Sequence, residues 1–264
     1  MAHKRSLPIL VSALLTPAMA IKVGSVGALL LLWYLAGALG WVSPAFFPSP
    51  QEVWREAGYL IQEGDLWRAV LVSSQRVFSG FGLAALISIP LGVMMAVWWP
   101  AKAALDPLVS LLRPLPSITW IPLTILWLGI GEGQKTAIVF MGTWIYVLMY
   151  TYESTRRVDS LLIRAARNLG ANSFQVMRIV LMAALPGIIS GLKVTLAIAW
   201  SCVITAEMVA AQIGLGALIW RAKDGANLGL VLVGMIGISI TVLIADLVVE
   251  RLEHIFLPWE RARR

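Results

Sequence analysis

Apolar residues in this chain run in long blocks separated by short polar stretches. Six blocks reach the length of a bilayer crossing: 23–41, 72–98, 105–129, 134–152, 186–208 and 228–249. A crossing helix needs roughly 20 apolar residues at about 1.5 Å each. An isolated open strand would leave its backbone groups unpaired in hydrocarbon, so every block reads as helix. Between the first two blocks the chain turns polar, and Ser49-Pro50-Gln51-Glu52 opens a surface helix: a capping hydroxyl, a proline suited to the first turn, and an acid at the positive helix end. Trp54 and Trp67 give that region aromatic anchors for a membrane interface. The loop 153–185 is expected to form a short helix, a bend at Gly170 and a second helix, with Pro186 marking the start of the next span. The fold class that follows is all-α, a polytopic membrane protein with about six transmembrane helices. It divides into an N-terminal interfacial segment 1–22, a membrane domain 23–249 and a basic tail 250–264.

Composition agrees with that picture. With 59% hydrophobic and 13% charged residues and a mean hydropathy of +0.83, 264 residues cannot cover a water-soluble surface. The net charge of +7 is asymmetric. With an inside N-terminus, Lys4, Arg5, Lys102, Arg156, Arg157, Arg164, Arg167, Arg178, Arg251, Arg261, Arg263 and Arg264 fall on the cytoplasmic side. Arg55, Arg68, Lys135, Arg221 and Lys223 fall outside. The positive-inside rule therefore places both termini and the 153–185 loop in the cytoplasm, and no nucleic-acid partner is needed to explain the basic balance. Met1 to Ala20 imitates a secretory leader, but the first span follows at once, and the segment is read as retained. Cys202 lies within a span as a small buried residue, and as a lone cysteine it has no partner in the chain for a disulfide.

Two glycine-rich stretches invite over-reading. In Gly129-Ile130-Gly131-Glu132-Gly133-Gln134-Lys135-Thr136, Gln134 separates the last glycine from the lysine and no strand precedes, so it is read as a turn between spans and not as a phosphate loop. Gly214-Leu215-Gly216 lacks the third glycine and the βαβ setting of a dinucleotide site. His3 and His254 sit near the termini, no His or Cys spacing suits a metal, and no Ser, His and acid set suggests a hydrolase. Neither a catalytic residue nor a cofactor is expected in this chain.

The 153–185 loop is the informative part. Ala165 and Ala166 would let another surface come close, Gly170 lets the chain bend, and Phe174, Val176 and Met177 put apolar side chains on the second helix, so the loop can fill a groove on a separate protein. Ordinary helix packing also uses small residues in this way, and the spacing alone leaves both readings open. The pattern resembles the Glu-Ala-Ala loop of permease subunits of bacterial ATP-binding-cassette importers. Ala165, Ala166, Gly170, Leu185 and Pro186 match; Ala183 is shifted from an isoleucine expected within 180–184; Arg164 replaces the glutamate. Three further stretches are similar to the taurine, alkanesulfonate, nitrate and bicarbonate permeases. They are Asp106-Pro107, the run from Leu112-Arg113-Pro114 through Pro122-Leu123 with Leu126 to Glu132, and Gly191-Leu192-Lys193 with Ala199-Trp200, Ala206-Glu207-Met208, Gly214-Leu215-Gly216 and Leu218-Ile219-Trp220.

That resemblance implies a type I importer permease of the bacterial inner membrane. Two copies would form one pathway, two separate ATPase subunits would bind ATP and Mg beneath, and an extracytoplasmic binding protein would deliver a small anionic solute. Arg164, Ala165, Ala166, Gly170, Ala171, Ser173, Phe174, Leu185 and Pro186 would couple to the ATPase. Taurine or another sulfonate is the favoured solute; nitrate, nitrite or bicarbonate is the alternative, and an ion-coupled secondary transporter is a more distant one. For the pathway or its gate the candidates are Arg113, Pro116, Ser117, Trp120, Trp200 and Glu207, the last a membrane-buried carboxylate expected to pair with Arg221 or Lys223. Trp127 and Trp144 also lie within spans, and Gly187 and Gly191 are spaced for close helix packing.

Overall fold

The computed structural model describes residues 17–256 apart from 42 and 44–46. The leader-like segment up to residue 16, which includes His3, the tail from residue 257 and the side chain of His254 lie outside the described residues. Ten α-helices follow in order: α1 (Pro17–Ala38), α2 (Pro50–Gln62), α3 (Asp65–Val97), α4 (Trp99–Leu112), α5 (Ile121–Leu128), α6 (Glu132–Arg156), α7 (Ser160–Asn168), α8 (Ser173–Ala210), α9 (Leu215–Asp224) and α10 (Leu228–Phe256). A 3₁₀ turn at Ser117–Trp120 precedes α5. No strand occurs among the described residues.

Among the described residues, three helices are long and apolar enough to cross a membrane: Asp65–Val97, Ser173–Ala210 and Leu228–Arg251. They contain the blocks 72–98 (but for Trp98, which caps α3), 186–208 and 228–249. The block 105–129, expected as one helix, is corrected: α4 and the segment from Ser117 to Leu128 meet at 93°. Pro114 and Pro116 are the cause, since each lacks a backbone donor and restricts the residue before it. The block 134–152 lies in α6, a 25-residue helix about 37 Å long. This helix is less apolar than a lipid-facing span because protein surrounds it. Packed along both α3 and α8, it can bury Gln134, Thr143, Thr151 and Thr155. The apolar part of α1, Val23–Ala38, stays largely exposed, with Trp33 reaching the α2 and α10 cluster around Val53, Leu60, Leu218 and Val233.

Small residues let the central three helices approach. A Cβ on Gly142 of α6 would stand 2.3 Å from Cys202 Sγ on α8 and 3.0 Å from Ser117. One on Gly191 would stand 2.4 Å from Tyr150. The close packing expected of Gly187 and Gly191 is present, against Ser154 and Tyr150 of α6. Cys202 is buried and free, in the main cluster with Val77, Ile138, Leu196 and Trp200. The surface helix opens as expected: Ser49 and Glu52 form a reciprocal capping box with Pro50 at the first helical position, an arrangement worth about 1 kcal/mol.

One expectation about α8 is corrected. Pro186 does not begin a span: it sits inside a 38-residue helix that starts at Ser173 and ends at Ala210. The proline removes one backbone donor without ending the helix, a situation tolerated where neighbouring helices support the backbone. As a result the second half of the 153–185 loop is continuous with a membrane span. Any force applied near Phe174 acts on the same rod that carries Glu207, which is 33 positions and about 50 Å away.

Candidate functional site

Two constructions lie at opposite ends of the α3–α6–α8 sandwich. The first is the elbow between α6 and α8. Asp159 caps α7, accepting from Leu161 N–H at 2.8 Å. The helix ends in a left-handed Gly170 (φ +81°), with Gly170 N–H donating to Arg167 and Ala171 N–H to Ala166, both at 3.0 Å. This is the paired bonding of a Schellman stop, which favours glycine at the positive φ. Asn172 and Gln175 then form a reciprocal capping box that opens α8. Ala166, Val176 and Val180 are buried together, with Val158, Ile163, Ala171 and Ile179 around them.

Ala166 therefore closes the elbow internally, and close approach by another surface is left to the exposed Ala165. Val176 likewise belongs to the inside. Facing outward are Leu169, 89% exposed, and Phe174, 78% exposed, with Leu162, Met177 and Met182 beside them. Leu162, Leu169, Arg178 and Met182 border a groove of about 910 Å³. Arg164, standing where the resemblance has an acid, turns back on its own helix and donates to Ser160 Oγ at 3.0 Å. Ser173 is the first residue of α8, and Leu185 and Pro186 are half-buried within it.

The second construction is a buried ion node. Arg76 on α3 is 4% exposed. Its Nε and Nη2 donate at 2.6 Å to the two oxygens of Glu132 at the start of α6. Its Nη1 donates at 2.7 Å to Glu207 near the end of α8 and at 2.7 Å to the Ile213 carbonyl. Glu207 also accepts from Ser73 Oγ at 2.7 Å and from Gly216 N–H at 2.9 Å, while Ser73 Oγ accepts from Leu215 N–H at 2.9 Å. The carboxylate thus sits on the amino end of α9, where unpaired backbone donors favour negative charge. Gly214-Leu215-Gly216 is the cradle for it: a Cβ on Gly214 would lie 2.4 Å from Glu207 Cδ, and one on Gly216 would lie 2.5 Å from the Ile204 carbonyl. The partner of Glu207 is Arg76, not the expected Arg221 or Lys223; Lys223 pairs with Asp224.

Of the other pathway candidates, Arg113 and Pro116 are exposed at the α4–α5 break, with Ser117 and Trp120 half-buried there. Trp200 is buried in the core instead. Trp127 is exposed, and Trp144 stacks on Phe140. Arg76 is not among the residues named from the sequence, and Glu132 enters there only within the glycine-rich turn and the permease-like run, not as a site residue. A lone arginine within the apolar run 72–98 is nonetheless a sufficient signal, because a charge at membrane depth requires a partner. No group of three or more possible metal ligands occurs among the described residues.

Residues 88–261 match the family of binding-protein-dependent transport system inner membrane components. The chain belongs to this family. It is 31% identical to the taurine transport system permease protein TauC of Escherichia coli, over 90% of this chain and 89% of that one. The putative aliphatic sulfonates transport permease protein SsuC of the same organism is 31% identical over 88% of each chain. The bicarbonate transport system permease protein CmpB of Synechococcus elongatus is 29% identical over 74% of this chain and 70% of that relative. Among solved structures, an inward-facing MetNI methionine ABC transporter matches with a TM-score of 0.65 at 23% identity, covering 72% of this chain and 95% of the other. The chain is a membrane-embedded permease subunit of an importer, with the type I permease fold. That membership sets aside the ion-coupled secondary transporter.

Proposed function

We propose that two copies of this permease form a pathway for a small organic solute bearing a sulfonate group, taurine among them, driven by two ATP-binding-cassette subunits that grip the elbow from the cytoplasm. Solute then arrives at the Arg76 end from an extracytoplasmic binding protein. The observation that carries this reading is the elbow itself. A capped, rigid turn holds Leu169 and Phe174 in the open beside an apolar groove, and it is continuous with α8. A partner that moves the elbow moves the whole helix, so closure of the ATPase pair reorients the spans. ATP and Mg are held by those subunits, and this chain supplies no reacting group.

The relatives named for taurine and aliphatic sulfonates support the sulfonate reading. The relative named for bicarbonate favours a second one, an inorganic oxyanion. The basic residues around the elbow, Arg156, Arg157, Arg164, Arg167 and Arg178, support its cytoplasmic placement and with it cytoplasmic termini.

The test is reconstitution in proteoliposomes with candidate ATPase subunits and a candidate extracytoplasmic binding protein. Vanadate-sensitive uptake of taurine is expected. Uptake of nitrate or bicarbonate in its place would replace the solute reading, and taurine uptake that runs on an ion gradient without ATP would overturn the coupling.

A further inference from the structure

We infer that the cavity beside the ion node is an oxyanion site in which the Glu132 carboxylate occupies the place of the solute. The inference rests on the proposed sulfonate reading only for which oxyanion enters. The cavity, about 480 Å³, is bordered by Arg76, Glu132 and Lys135, with Gln75, Ser79 and Gln212 as neutral polar neighbours. Both of its cations are buried: Arg76 and Lys135 are each 4% exposed. Lys135 Nζ lies 3.5 Å from the Glu132 carboxylate and donates to the Gly131 carbonyl at 3.2 Å.

Charge balance defines what can enter. Arg76 and Lys135 carry two positive charges; Glu207 and Glu132 carry two negative ones. Glu207 is fixed, wholly buried on the amino end of α9 with Ser73 and Gly216 as further donors. Glu132 is not: its side chain is 67% exposed, so it can swing into water at little cost in burial. Its departure leaves the Nε–Nη2 edge of Arg76 and the Lys135 ammonium facing the cavity with one uncompensated charge. A monovalent oxyanion restores the balance. Two oxygens of a sulfonate meet the guanidinium edge in the side-by-side geometry that the carboxylate now uses, and a third is left for the ammonium. The exchange also replaces the direct Glu132 tie between α3 and α6 with one that runs through the solute to Lys135, while keeping the Arg76 tie between α3 and α8.

The test is calorimetric titration of the full chain in nanodiscs with methanesulfonate and, separately, with nitrate at constant ionic strength. Glu132→Gln removes the internal competitor and is expected to tighten methanesulfonate binding about fivefold or more. Lys135→Gln is expected to weaken it by a similar factor and serves as the second variant should Glu132→Gln disturb packing. Nitrate binding with the same two responses, and no methanesulfonate binding, would keep the site and overturn the sulfonate reading. Oxyanion binding indifferent to both substitutions, or absent from wild type and both variants while taurine uptake persists, would overturn the site.

Discussion

Replacing Glu207 by glutamine keeps the shape of the side chain and removes its charge, which isolates what the carboxylate does at the node. The native carboxylate accepts from Ser73, Arg76 and Gly216. An amide offers one acceptor oxygen. If that oxygen faces Ser73 and Arg76, the amide NH₂ points at the Gly216 N–H, donor against donor, and an unmatched buried donor costs about 1–3 kcal/mol. Arg76 also loses its buried counter-charge and keeps only the exposed Glu132, and removing one partner of a buried pair costs about 3–5 kcal/mol in full. Because Glu132 remains, about 3 kcal/mol is the expected total. In a chain of this size that corresponds to a fall in unfolding midpoint of roughly 6–12 °C. The assay is the midpoint for loss of the monodisperse peak in detergent, with Glu132→Gln in parallel. The Glu132 carboxylate is 67% exposed, so water already screens its pairing, and Glu132→Gln is expected to shift the midpoint less than Glu207→Gln. Equal shifts for the two variants, or an unchanged midpoint for Glu207→Gln, would refute the reasoning that the buried half of the node holds α3, α8 and α9 in register.

Other expectations follow from the same geometry. Gly216→Ala drives a Cβ to 2.5 Å from the Ile204 carbonyl, and an overpacking cost of about 1–3 kcal/mol is expected to lower the same midpoint. Asn172→Ala removes a capping box and about 1 kcal/mol. It is expected to leave the membrane bundle intact but raise hydrogen exchange at Ser173 to Val176, and unchanged exchange there would count against the capped elbow. Leu169→Ser with Phe174→Ser changes only exposed side chains. The midpoint should therefore hold while co-purification with the ATPase is lost; retained co-purification would move the contact elsewhere.

Much of the fold is legible in hydropathy because lipid imposes it: α3, α8 and α10 face hydrocarbon over much of their length and must be apolar. The less legible parts are those where protein replaces lipid. α6 is enclosed by α3 and α8, so Gln134 and Lys135 can be buried at its start, and periodicity gives no hint of its central place. Pro186 reads as a boundary because proline removes a donor, yet α8 runs through it. At the elbow, Gly170 announces its turn through the need for a left-handed backbone. The division of labour between Ala165 and Ala166 depends on which face α7 turns to α8, and the spacing of two adjacent alanines cannot carry that. Glu207 stands out as an acid in an apolar run. Its pairing is long-range, 131 positions from Arg76, and the nearer basic residues Arg221 and Lys223 misdirect a reading by proximity in sequence.

The role of the elbow as the point of force transfer is tested most directly by placing a photoreactive benzoylphenylalanine at Phe174 and irradiating cells that also produce the ATPase subunit. A covalent adduct between this chain and the ATPase is expected, lost when the residue is placed instead at Trp54 on α2, which is equally open but at the other end of the bundle. An adduct from Trp54 and none from Phe174 would contradict the account.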